Sequence, residues 1–184
     1  MVLFMTTSEK PSITGECADI LQILQEQRAT LLITVRGIDD AQARQRSTVS
    51  DLTLGGLIKH VSHTEKHWVE TILEPDENAE FDMESAMEQY YMREDETLEG
   101  LLADYAEVAR ATEGALAGLS DLDVLIPLPT APWAPERQWW TIRRTLLHII
   151  RETGHHSGHA DIIRESLDGA NTTKTMGTDA GMEF

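Results

Sequence analysis

The sequence is short of cysteine, of basic residues and of long apolar runs, and each shortage narrows what it can do. Cys17 is the only cysteine, which excludes an internal disulfide and any multi-cysteine zinc site. A metal ion would have to be held by histidine and carboxylate, and a reducing compartment is the natural setting. Lys and Arg number 15 against 32 Asp and Glu, a net charge of −17. Binding to a phosphate backbone runs on Lys and Arg, so no nucleic-acid partner is expected. No apolar stretch approaches the roughly 20 residues that carry a helix across a bilayer, so no membrane partner is expected either. The opening "MVLFMTTSEKPS" has an apolar patch without a basic lead or a long apolar core, unlike a signal peptide. The expectation is a soluble, cytoplasmic protein. Alternating strand patterns and internal repeats are also missing.

What remains is helical. The 184 residues, 41% of them hydrophobic, suffice for one domain with a real core. Four amphipathic stretches stand out. The first, Glu16 to Arg36, carries Cys17, Ile20, Leu24, Leu31 and Val35 on one face and stops at Gly37. The second, Leu54 to Leu73, starts behind Thr53 as N-cap and ends before Pro75. The third, Leu98 to Ala117, follows Thr97. The fourth, Ile142 to Leu167, follows Thr141 and stops at Asp168-Gly169. "DDAQAR" adds a helical turn after the first. Four such helices predict an all-α four-helix bundle over residues 1–169, with a polar, mobile tail at 170–184.

Two connections are long. Between the second and third helices, the acidic segment 76–96 reads as a solvated loop with a short helix, and Tyr90 and Tyr91 can pack on the body or meet a partner. Between the third and fourth, the prolines of "PLPTAPWAPERQWW" forbid a continuous helix. Trp133, Trp139 and Trp140 load this loop heavily and are expected to pack over one end of the bundle.

The chemistry concentrates in "ETGHHSGHADIIRE", Glu152 to Glu165. On the fourth helix the apolar stripe runs Ile142, Ile149, Ala160, Ile163 and Leu167. The gap between Ile149 and Ala160 is filled, on the same face, by Glu152, Thr153 and His156. Glu152 and His156 therefore occupy core positions, one turn apart, where two side chains can grip one ion. His159 lies at the edge of the stripe, with His148 and His155 further off. A buried carboxylate is costly unless partnered. Either Glu152 pairs with an arginine of another helix and His156 is a satisfied core histidine, or both hold a metal. The second helix supplies the remaining histidines in "KHVSHTEKHW". His60 is nearest the apolar face, while His63 and His67 read as solvated surface. His60, Glu152 and His156 thus form the candidate metal site. Two imidazoles and a carboxylate suit zinc, nickel or ferrous iron and leave a position open for water or substrate. Asp161 and Glu165, like charges one turn apart, should have separate partners. Arg28, on the inner side of the first helix, fits either an anionic substrate group or a structural pair with a bundle carboxylate.

At these residues the sequence resembles the DinB-like superfamily of metal-binding four-helix bundles, in particular a subgroup related to mycothiol-dependent enzymes. The carrying segments are "EQRATLLITVRGIDDAQARQRSTVSDLTLGGLIKHVSHTEKHW" and "TIRRTLLHIIRETGHHSGHADIIRESLDG" within Leu21 to Gly169. The resemblance implies a histidine of the second helix, here His60, joined by Glu152 and His156 in a Glu-x-x-x-His pair. It implies zinc or nickel, and a homodimer. It also implies a thiol S-transferase that uses a low-molecular-weight thiol of the mycothiol or bacillithiol type on an electrophilic small molecule; in such an enzyme His159, at the edge of the stripe, could orient a ligand or serve as a proton shuttle. Two other functions fit the same site: a metal-dependent hydrolase with Glu65 or His159 as general base, and a non-enzymatic metal-binding stress or interaction protein.

Overall fold

The computed structural model describes residues 13–183, so the apolar patch at the start of the chain lies outside the described residues. The helices are α1 (Glu16–Ile33), α2 (Asp40–Arg44), α3 (Leu54–Leu73), α4 (Met83–Glu88), α5 (Leu98–Gly118), α6 (Ile142–Asp168) and α7 (Thr172–Asp179). A short antiparallel pair, β1 (Leu125–Pro127) and β2 (Trp139–Thr141), precedes α6. The expected all-α four-helix bundle is formed by α1, α3, α5 and α6. Helix α1 lies against α6, α6 against α3, and α3 against α5, which touches α1 more lightly.

The caps follow the sequence. The hydroxyls of Thr53, Thr97 and Thr141 accept hydrogen bonds from the backbone N–H of Gly56, Gly100 and Arg144, each satisfying a donor the first helical turn leaves free. Gly169, at φ 82°, closes α6 in the left-handed conformation. Helix α1 ends three residues earlier than expected. Thr34, Val35 and Arg36 instead bond back three residues, to Leu31, Leu32 and Ile33, tightening the chain before Gly37.

The core is divided by a polar layer. One apolar cluster gathers Leu31, Leu57, Ile58, Val61, Leu101, Ala160 and Ile163; the other gathers Leu24, Val69, Ile72, Leu116, Leu146 and Ile149. Between them along their helices stand Arg28, Glu65, Thr112, Thr153 and His156, all buried. The Arg28 guanidinium grips both Glu65 oxygens, through Nε at 3.1 Å from Oε2 and through Nη2 on Oε1. The Thr112 hydroxyl donates to the same carboxylate. Of the two roles open to Arg28, the structure gives the ion pair with a bundle carboxylate.

Residues 76–96 are a largely exposed loop with a single short helix, as expected, but they are anchored at both ends. Phe81 N–H donates to the Thr130 carbonyl and Thr130 N–H to that of Ala79. Arg137 donates to the carbonyls of both Ala79 and Leu128. At the far end the buried Lys59 ammonium binds Glu96 and the Tyr91 carbonyl. Between these anchors the chain presses on the first turn of α3. An alanine Cβ at Gly56 would stand 2.1 Å from the Tyr90 carbonyl oxygen, and one at Gly55 2.6 Å from the Met92 sulfur. Only a backbone without Cβ admits so close an approach.

The C-terminal segment, read as a mobile polar tail, contains a helix. Asn171 caps α7, and Thr172 donates to Asp161 through both its N–H and its hydroxyl. Asn171 also donates to Glu165, so Asp161 and Glu165 do have separate partners. With Met176 as its one large apolar residue, the eight-residue helix carries too weak an apolar pattern to be legible in sequence.

Candidate metal centre

Helices α3 and α6 bring His60, Glu152 and His156 together. Each offers a ligand atom, and these atoms lie within 4.8 Å of one another. The His156 Nε2 is 3.7 Å from Glu152 Oε2, and the rings of His60 and His156 meet edge to face at 4.6 Å. Both imidazoles are buried, whereas His63 and His67 are exposed residues and stay outside the group. Of the three histidines on α3, the rotation of the helix aims His60 alone at α6.

The surroundings prepare neutral imidazoles. Burial pushes His60 down to about 4, with the neighbouring His156 adding to the effect and Glu152 opposing it. Burial likewise pushes His156 down to about 4 against the pull of Glu152. A neutral imidazole has a lone pair to give. For Glu152, burial would raise the carboxyl, but the hydrogen bond from Arg151 and the nearby His148 and His156 outweigh it and hold it below the usual range. The group therefore consists of one carboxylate and two uncharged rings near neutral pH.

His60 carries the test of whether a metal fits. Both of its nitrogens are buried without a hydrogen bond of good geometry among the described residues, though the Gln89 side chain approaches the ring. An unsatisfied buried donor or acceptor costs about 1–3 kcal/mol, and here an acceptor nitrogen stands beside a second lone pair and a carboxylate. That donor set is what zinc or nickel takes. The alternative reading, an arginine clasping Glu152, is met only in part. Arg151 Nη2 lies 2.6 Å from Oε1, yet this arginine is the next residue on the same helix and is 68% exposed. It leaves Oε2 facing His156.

A second layer supports the first. The His156 Nδ1 lies 3.4 Å from the His159 Nδ1. With a metal on Nε2, a neutral His156 would carry its proton on Nδ1 and donate it to His159. Tyr90 lies flat on the His60 ring, centroids 3.9 Å apart and planes 17° apart. Pattern reading gave Tyr90 no part in the site; the signal was the Gly55-Gly56 pair that lets its backbone approach. His148 was also underrated. Its Nδ1 is 3.7 Å from Glu152 Oε1 and 2.8 Å from Arg151 Nη2, and its ring stands edge-on to Trp68 and Trp140. The clue was its position one turn before Glu152.

His60 and Glu152 open into a cleft walled by the acidic segment and the tryptophan loop. Trp140 stacks on Trp68 at 5.5 Å, and Trp133 meets the edge of Phe81. The tryptophan loop thus builds a side wall rather than only covering one end. Among the residues named as bases for hydrolysis, Glu65 is wholly buried, held by Arg28 and Thr112, and absent from the cleft; His159 is absent from the cleft too.

Comparison with known proteins agrees with this architecture. A solved structure described as the conserved protein of a locus from Enterococcus faecalis superposes with a TM-score of 0.64 at 16% identity, covering 85% of this chain and 99% of that one. Such a likeness speaks to the fold. None of the curated proteins compared with the chain matches it. A family model described as mycothiol-S-transferase matches residues 19–169, which span all four bundle helices and the three residues of the candidate centre, and the chain belongs to that DinB-like family.

Proposed function

We propose that the protein is a metal-dependent thiol S-transferase. It joins a low-molecular-weight thiol of the mycothiol or bacillithiol type to an electrophilic small molecule, with zinc or nickel held by His60, Glu152 and His156. The observation that carries this reading is the pair of buried, uncharged imidazoles facing one carboxylate, with His60 and Glu152 opening into the cleft and neither His60 nitrogen hydrogen-bonded in good geometry among the described residues. The family membership supports the thiol.

A divalent cation at such a site supplies positive charge and an open position that lower the pKa of a thiol, and the thiolate is the nucleophile. The chain's own residues prepare the rest. His159 would accept the Nδ1 proton of His156 once a metal holds Nε2, fixing the ring's tautomer and orientation. Tyr90 covers the His60 ring and keeps water from one side. The cleft receives the electrophile, whose leaving group departs with the electron pair as the carbon–sulfur bond forms and the thiol proton is released. Hydrolysis is the weaker reading, because Glu65 has no oxygen free to act as base.

The test loads purified protein with zinc or nickel and supplies mycothiol or bacillithiol with monobromobimane. Conjugate should form faster than with metal-free protein or with the His60→Ala variant. No acceleration with either thiol and either metal would remove the transfer reading and leave a metal-binding bundle without turnover.

A further inference from the structure

The cleft has features that the metal centre does not use. Its volume is about 860 Å³, ample for a drug-sized molecule. Besides Tyr90, four large aromatic side chains line it: Trp68, Phe81, Trp133 and Trp140. Trp133 is 63% exposed, with its ring at the rim. Three carboxylates besides Glu152 line it as well, namely Glu80, Asp82 and Glu136. Among the described residues, no lysine or arginine lines it. The nearest guanidiniums have other work. Arg137 is tied to two loop carbonyls, Arg151 to Glu152, and Arg144 lies over the Trp140 ring at 4.3 Å. That last contact already occupies one face of the Trp140 ring, against which Trp68 also stacks.

We propose that the cleft selects aromatic organic cations over their anionic counterparts as its small-molecule ligand. A π-face attracts a cation and an aromatic body stacks on tryptophan. The four lining carboxylates, Glu80, Asp82, Glu136 and Glu152, outnumber the two charges of an ion at the metal centre and repel an anion, and the low-dielectric walls of a cleft focus that field. The net charge of −17 acts in the same direction at longer range. Glu80 and Glu136 are exposed, and Asp82 needs only one oxygen to cap α4, so their charges are available to a ligand. That the ligand is the electrophile of a thiol transfer rests on the function proposed above; that it binds does not.

The test titrates the full-length protein at low ionic strength with benzyltrimethylammonium and with phenylmethanesulfonate, read by tryptophan fluorescence without thiol. The cation should bind at least roughly tenfold more tightly. The combined variant Glu80→Gln, Asp82→Asn, Glu136→Gln should bring the two affinities within about threefold, and 0.5 M salt should narrow the gap. Trp133→Ala should weaken the cation while leaving the thermal midpoint in place. Equal affinities, a preference for the sulfonate, or a ratio unmoved by the triple variant would overturn the proposal. A second arm compares monobromobimane with its trimethylammonio analogue in thiol transfer, where the cationic bimane should show the lower KM. If neither bimane turns over while the cation still binds selectively, the transfer reading falls and the cleft preference stands.

Discussion

Replacing Gly56 with alanine tests whether the approach of the acidic segment to α3 builds the site. The added Cβ would sit 2.1 Å from the Tyr90 carbonyl oxygen and 3.0 Å from its carbonyl carbon. An ordinary carbon–oxygen contact is about 3.3 Å, so the segment must retreat by roughly 1 Å. The obstacle is backbone, which cannot swing aside as a side chain would. Overpacking of this kind costs about 1–3 kcal/mol. Loss of the Tyr90 stack on His60 adds about 0.5–1.5 kcal/mol, and the better helix propensity of alanine returns up to about 1 kcal/mol. The net expectation is a destabilisation of about 0.5–4.5 kcal/mol, or a thermal midpoint lower by about 1–18 °C for a chain of this size. Circular dichroism melts give the first readout, and metal affinity by competition with a chelating dye gives the second. Tyr90→Ala removes the stack without the clash and should cost less stability while weakening the site similarly. A Gly56→Ala protein that melts at or above the parent temperature, with metal affinity intact, would refute the reasoning.

Four further outcomes are expected. Arg28→Met strands the buried Glu65 carboxylate and should cost about 3–5 kcal/mol in urea unfolding, while Arg28→Met with Glu65→Leu should recover most of that; a double variant as unstable as the single would contradict the ion-pair account. His159→Ala removes the group that orients His156 and should weaken metal binding about 10- to 100-fold with little change in the metal-free melt. For His60 and His156, burial holds the folded value near 4 against about 6.5 in the unfolded chain. Between those values the unfolded chain binds more protons, so metal-free protein should lose stability as pH falls from about 6.5 toward 4; denaturant curves that are flat across this window would count against neutral buried rings. Gly114 lies in α5 with nothing within 4 Å of an added Cβ, so Gly114→Ala should raise stability by about 0.5–1 kcal/mol in the same denaturant assay.

Local signals wrote much of this molecule into its sequence. Helical periodicity, threonine caps and a left-handed glycine are properties of neighbouring residues, and they placed α3, α5 and α6 within a residue or so. The polar interruption of the α6 stripe marked Glu152 and His156 for the same reason, since residues one turn apart share a face whatever packs against them. Other features needed the whole chain. Pairing Arg28 with Glu65 joins residues of different helices, and no local pattern separates that partner from a substrate. The strands β1 and β2 are three residues each, too short for an alternating pattern. The wall of the cleft exists because Arg137, Thr130 and Phe81 tie two distant loops together, and Tyr90 reaches His60 because two glycines in another element leave room. By itself, then, the sequence determined which faces of each helix are apolar and where titratable groups interrupt them. The tertiary structure alone decided which of those groups meet, because the rotation of α3 against α6 and the path of the loops are set by contacts between residues far apart in the chain.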